Sequence, residues 1–128
     1  MKFDSREIEL AKELKTCGMP WVPEVGHYVW DEFNEIDCES PFHGRLFFIL
    51  NMSPFERSLG SIESMQSKLV WLPTWKQART LLDARGVSNE DVQKRLVSTR
   101  ALAEGRELAV LYEMLLESVI EEQQSVVT

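Results

Sequence analysis

Apolar positions along this chain follow two rhythms, and the change from one to the other marks the elements. Leu10, Ala11, Leu14 and Cys17 recur at helical spacing and share one face. Asp4 and Glu7 have the spacing of a capping box, in which each side chain satisfies a backbone N–H of the other residue, and Phe3 and Ile8 are placed for a hydrophobic staple. Gly18 and Pro20 stop this first helix, so Cys17 reads as a small core residue at its end.

Beyond the turn made by Pro20, Pro23 and Gly26, the period shortens to two. HYVW, His27 to Trp30, reads as a strand, and RLFFILNM, Arg45 to Met52, reads as a second. In the latter, Leu46, Phe48 and Leu50 alternate with Phe47 and Ile49, so both faces are expected to be covered. Ser53, Pro54 and Glu56 predict an N-cap, a first-turn proline and a capping partner for one short helical turn, followed by a loop through Gly60 and Ser67. LVWL, Leu69 to Leu72, is the third strand, and Pro73 ends it because proline cannot donate to a ladder. Short connections favour a meander with the most apolar strand in the middle.

After Pro73 the helical rhythm returns. Thr74 and Gln77 form a second capping box, Trp75, Ala78, Leu81 and Leu82 share a face, and Gly86 supplies a left-handed stop. Ser88 with Asp91, stapled by Val87 and Val92, starts a helix that runs to about Gln123, with a break expected between Thr99 and Gly105. The expected fold is α+β, a single domain over residues 1–128, with a three-stranded antiparallel meander and the N-terminal and C-terminal helices packed on it. An apolar content of 44% is enough to build a core without disulfides or a structural metal.

The last helix is apolar on two sides. Ala101, Gly105, Leu108, Tyr112, Leu115, Leu116 and Val119 form one stripe, and Ala103, Val110 and Met114 lie opposite. Such a helix is usually covered on both sides, and a second copy of the chain is the expected cover, giving a homodimer with Ala103, Val110 and Met114 at its interface. Glu113, Glu117 and Glu121 form a like-charged row beside that patch, for which Arg79, Arg85 or Arg95 of the other copy are the expected counter-charges.

A net charge of -7 opposes direct binding to nucleic acid or to anionic lipid. It is unevenly placed: residues 24–44 hold six acids and no Lys or Arg, and residues 101–128 hold six acids against Arg106. MKFDSREIEL has no apolar signal core, and no apolar run approaches the ~20 residues needed to cross a bilayer. A soluble, cytoplasmic protein with reduced thiols and no membrane contact is expected.

Candidate chemistry is thin. Every Cys and His, namely Cys17, His27, Cys38 and His43, lies within a 27-residue span. Those side chains suit tetrahedral zinc, yet no two have the close spacing of a zinc motif. Asp31, Glu35, Asp37 and Glu39 nearby lack the alternating pattern of a calcium loop. His27 or His43 beside Asp31 or Glu32 would make an acid–base pair, but motifs for a serine nucleophile, a phosphate cradle or a dinucleotide are missing. Trp21, Trp30, Trp71 and Trp75 fit a core better than a ligand pocket. No catalytic residue, cofactor or cofactor-binding residue is expected. The reading is a non-enzymatic protein-interaction module with an unknown protein partner. The alternatives are a small-ligand or metal-binding protein, a hydrolase among them, with its site near His27 to His43, and an acidic mimic of nucleic acid.

The opening helix ELAKELKTCGMP, the strand YVWD and the segment VWLPTWKQARTLLDARG together resemble small α+β proteins of unknown function found in bacterial genomes and prophages. The resemblance spans roughly the first two thirds of the chain and leaves out the acidic C-terminal helix. It implies a phage or prophage origin and carries no assigned activity or binding residues.

Overall fold

A computed structural model describes residues 2–42 and 44–127, with side chains as far as Gln124. The elements, in order, are α1 (Ser5–Thr16), β1 (Tyr28–Trp30), β2 (Leu46–Phe48), α2 (Ser53–Leu59), α3 (Ile62–Lys68), β3 (Val70–Leu72), α4 (Trp75–Ala84), α5 (Asn89–Ser98), α6 (Ala101–Glu104) and α7 (Glu107–Val127). The class is α+β with a three-stranded antiparallel sheet, as the alternation of rhythms predicts. The chain forms two compact units, one from Phe3 and Pro20–Leu72, the other from Asp4–Met19 and the residues from Pro73 onward.

In the first unit the strand order is β2-β1-β3, so the meander expected from short connections is not formed. The link from β2 to β3 is not short: residues expected to be one helical turn and a loop form α2 and α3 instead. Ser61 caps α3 by accepting from the Ser64 N–H at 3.1 Å, and Met65 is fully buried. Those two helices carry β3 back to the far side of β1, which becomes the central strand. Nor is Ser53 an N-cap; Met52 holds that position without a side-chain bond, and Asn51 Oδ1 accepts from the Ser53 N–H. One face of the sheet, with Val29, Phe47 and Ile49, packs with Phe55, Leu59 and Met65 into a buried cluster.

Caps set the helix bounds in the second unit. The Asp4–Glu7 box forms in both directions, with the Asp4 N–H donating to Glu7 Oε1 and the Glu7 N–H to Asp4 Oδ1, each at 2.8 Å. The Thr74–Gln77 box forms likewise. Ser88 accepts from the Asp91 N–H and starts α5. At the other ends, α1 and α4 close alike: the Gly18 and Gly86 N–H groups donate three residues back, to the Lys15 and Asp83 carbonyls, and the Met19 and Val87 N–H groups donate to Leu14 and Leu82. Both glycines have φ near +85°, +87° and +84°, where a side chain would be strained.

Helix α7 is the centre of this unit, with α1, α4, α5 and α6 all packed on it. Leu111, Tyr112 and Leu115 are 0% exposed, and Val110 and Met114 on the opposite side are 1% and 6% exposed. Each fully buried leucine of this kind contributes about 1.5–3 kcal/mol. The second apolar side of α7 is therefore covered by helices of its own chain, which corrects the placing of Val110 and Met114 at an interface between copies. Ala103 lies apart from them, exposed on α6. No helix among the described residues is long and apolar enough to cross a membrane.

Candidate interaction surface

The backbone pairing of β2 determines what it offers to its surroundings. Phe47 lies opposite Val29 and Phe48 opposite Tyr28. The Asp31 N–H donates to the Arg45 carbonyl at 3.0 Å and the Ile49 N–H to the His27 carbonyl at 2.9 Å, so odd-numbered residues of this segment bond toward β1. Leu46 and Phe48 therefore direct their N–H and C=O groups away from the sheet. The Leu46 carbonyl accepts from the Ser40 hydroxyl, while the backbone groups of Phe48 take no partner among the described residues.

Gly26, at φ +98°, donates its N–H to the Ile49 carbonyl at 2.8 Å, and this bulge ends the pairing. Val25 and Leu50 are the next residues on either side of it, 61% and 73% exposed, and Val22 in the same turn is 60% exposed. Leu50 was expected on a covered strand face. The strand stops two residues earlier because Asn51 and Pro54 turn the chain into α2. On the same face as Phe48, an aromatic group holds the strand: the Tyr28 ring lies 4.7 Å from Phe48, 5.4 Å from Phe3 and 6.0 Å from Phe42.

His27 sits on the other face. Its Nδ1 accepts from Trp21 Nε1 at 3.0 Å, its ring stacks on Trp71 at 4.7 Å, and Trp71 stacks on Trp21. Burial pushes the His27 pKa below its ordinary value, with Glu24 acting in the opposite direction. An acceptor role at Nδ1 places the proton on Nε2, 4.0 Å from Glu24 Oε2. The histidine anchors the turn that carries Val22 and Val25, since Trp21 is also held through its carbonyl by Gln66 Nε2 at 2.6 Å. Trp71 is buried, Trp21 and Trp30 are half-buried, and Trp75 is 42% exposed beneath the Arg79 guanidinium, contrary to its expected place in the core.

The other candidate ligands do not converge. Cys38 is exposed, Cys17 is a half-buried helix C-cap, and His43 lies outside the described residues. Among the described residues no three His, Cys, Asp or Glu side chains are grouped to hold a metal ion. Asp31 is 1% exposed, and its two carboxylate oxygens accept from the Glu35 and Ile36 N–H groups at 2.9 Å each, so it shapes the loop that brings Ile36 into the core. Glu32 accepts from Trp30 Nε1.

Two open grooves of about 460 and 430 Å³ flank α7, meeting at Ser118 and Glu121. Their cations are engaged within the chain. Arg85 donates to Ser118 and pairs with Glu122, and Arg95 makes a two-pronged pair with Glu117 at 3.0 Å that raises its pKa further. Glu113 meets Arg6 at 3.4 Å, and Arg79 donates to Asn89. The acidic row of α7 is thus partly neutralised by its own chain, where counter-charges from a second copy were expected.

No family model, curated protein or solved structure matches the chain. The pattern of the sequence did not show that Val25 and Leu50 stand exposed at this end of the sheet. For Leu50 a signal existed, the Asn51 and Pro54 turn residues directly after it; for Val25 none did, because the bulge at Gly26 arises from pairing with a distant segment.

Proposed function

We propose that this chain is a non-enzymatic protein-interaction module whose contact surface is the open end of the sheet around Val25 and Leu50. One observation carries the reading: two aliphatic side chains, each more than half exposed, stand beside an unpaired strand edge that an aromatic group holds extended. Side chains suited to acid–base work serve the fold instead. His27 anchors Trp21, Asp31 shapes a loop, and Glu7 closes a helix cap. The acidic blocks fit a nucleic-acid mimic less well, because Lys68 pairs with Glu35 and Arg95 with Glu117.

Capture from a lysate of the source cell, run in parallel with wild type and Leu50→Asp and followed by titration of the purified partner, tests the surface. A partner that binds the purified wild-type chain and loses roughly tenfold in affinity for Leu50→Asp supports it. Equal binding of every captured protein to both chains would overturn it.

A further inference from the structure

We infer that the free edge of β2 binds an extended, basic segment of a partner protein by strand addition. This rests on the interaction-module reading and names the chemistry of the partner. Phe48 presents both an N–H and a C=O outward, the pair of groups through which an added strand would bond. The Phe48 ring is already fixed on Tyr28, so the edge need not be ordered on binding. At one end the Ser40 hydroxyl closes off the Leu46 carbonyl, which leaves the Phe48–Leu50 end as the place of entry. Leu50 and Val25 there offer aliphatic contact for alternate side chains of the incoming strand.

Charge decides between partners. Glu24 lies in the turn beside the Leu50 end, with a side chain 69% exposed, and exposed Glu39 adjoins Ser40 at the Leu46 end. The only cation of the strand segment, Arg45, is turned onto the Glu32 carbonyl at 2.8 Å. An added strand therefore meets a carboxylate at each end and, among the described residues, no opposing cation on the edge. Edges that must avoid pairing commonly carry a lysine or a proline, and residues 46–50, LFFIL, carry neither. A second copy is a poor occupant, because it would bring the same acids to the same edge. The fitting occupant alternates aliphatic residues with Lys or Arg. Among the described residues only one of the edge, Phe48, is open in both directions, so electrostatic attraction chiefly selects which strands dock and speeds their arrival, while contact with Leu50 and Val25 holds them.

The test is a displayed random dodecapeptide library panned on the full chain. The best-enriched peptide is then titrated by fluorescence anisotropy at low and high salt and followed by amide NMR. The expected peptides alternate aliphatic and basic residues and bind more weakly at high salt. On saturation the Phe48 amide becomes protected from exchange. Leu50→Lys and the pair Glu24→Lys/Glu39→Lys, all at exposed positions, each weaken binding roughly tenfold or more. Acidic or helical peptides, or a Phe48 amide unchanged at saturation, would overturn the inference. Peptides that bind regardless of Leu50→Lys overturn the edge but leave an interaction module with another surface. An empty screen, together with captured partners indifferent to Leu50→Asp, overturns both.

Discussion

Replacing Tyr112 by phenylalanine removes a single oxygen from the middle of α7 and probes how Pro73, at the entry to α4, is held on that helix. Tyr112 is 0% exposed and donates its hydroxyl hydrogen to the carbonyl of Pro73, the buried residue that precedes the Thr74 cap. A neutral hydrogen bond of this kind contributes about 0.5–1.5 kcal/mol net, and the acceptor left without a partner costs roughly 1–3 kcal/mol more. Because the ring is kept, packing changes little, and the expected loss is about 2 kcal/mol. For a chain of this length that lowers the thermal midpoint by roughly 6–10 °C. Urea unfolding at neutral pH reads the loss directly, with an unchanged slope as the sign that the native state has kept its shape. A loss under about 0.5 kcal/mol would show that the Pro73 carbonyl finds another donor and that the hydroxyl does not hold the entry to α4. The same group sets a response to alkali. Burial, with the charge of Glu7 added, raises the Tyr112 pKa far above its ordinary 10.0. The neutral phenol is thus favoured by the folded state, and its contribution is complete below the ordinary value and lost as pH rises above it. In a Tyr28→Phe background, tyrosinate absorbance should therefore appear only together with unfolding; ionisation of the folded chain at the ordinary pH would refute the burial argument.

Glu7 gives the corresponding test in acid. Burial raises its pKa above the ordinary 4.5, against the lowering effect of the Asp4 N–H, so the protonated form is favoured by the fold. As pH falls from neutral through the window just above 4.5, wild type should gain stability relative to Glu7→Gln, and a flat difference would mean that Glu7 is solvated. In the sheet, Phe47 is 6% exposed inside the buried cluster, whereas Phe48 is half-buried on an edge strand. Phe47→Ala should cost about 3–5 kcal/mol in urea unfolding and Phe48→Ala about half as much, and equal costs would contradict the half-burial of Phe48.

Local signals were the legible part of this fold. The Asp4–Glu7 and Thr74–Gln77 boxes, the Ser88 cap and the stops at Gly18 and Gly86 each involve residues within a few positions of one another, and each forms as its spacing requires. Helix α3 was not legible because IESMQSK carries only Ile62 and Met65 as apolar residues, too few to make a stripe. What fixes it is the full burial of Met65, a tertiary event. Strand order failed for a different reason. The apolar character of β2 reports that its faces are covered, and faces are covered by side-chain packing; whether a strand is central or at an edge concerns its backbone bonds, which run at right angles to those faces.

That distinction also explains why the exposed aliphatic side chains lie elsewhere than the pattern indicates. α7 and the LFFIL segment are both apolar on two sides, and in each case the second side asks for a cover that the sequence cannot name. For α7 the cover is its own chain: α4 and α5 reach it through short connections, α1 packs on it from the far end of the sequence, and Val110 and Met114 disappear into the unit. For LFFIL the cover runs out after Ile49. The chain must turn at Asn51 to enter α2, the bulge at Gly26 ends the pairing on the other side, and Leu50 is left in solvent next to Val25. Leaving an aliphatic side chain in water forgoes the stabilisation that its burial would bring, about 1.5–3 kcal/mol for a leucine. A partner strand laid along Phe48 would recover part of that stabilisation at both positions while satisfying the outward N–H and C=O, and the carboxylates of Glu24 and Glu39 would favour those strands that bring lysine or arginine.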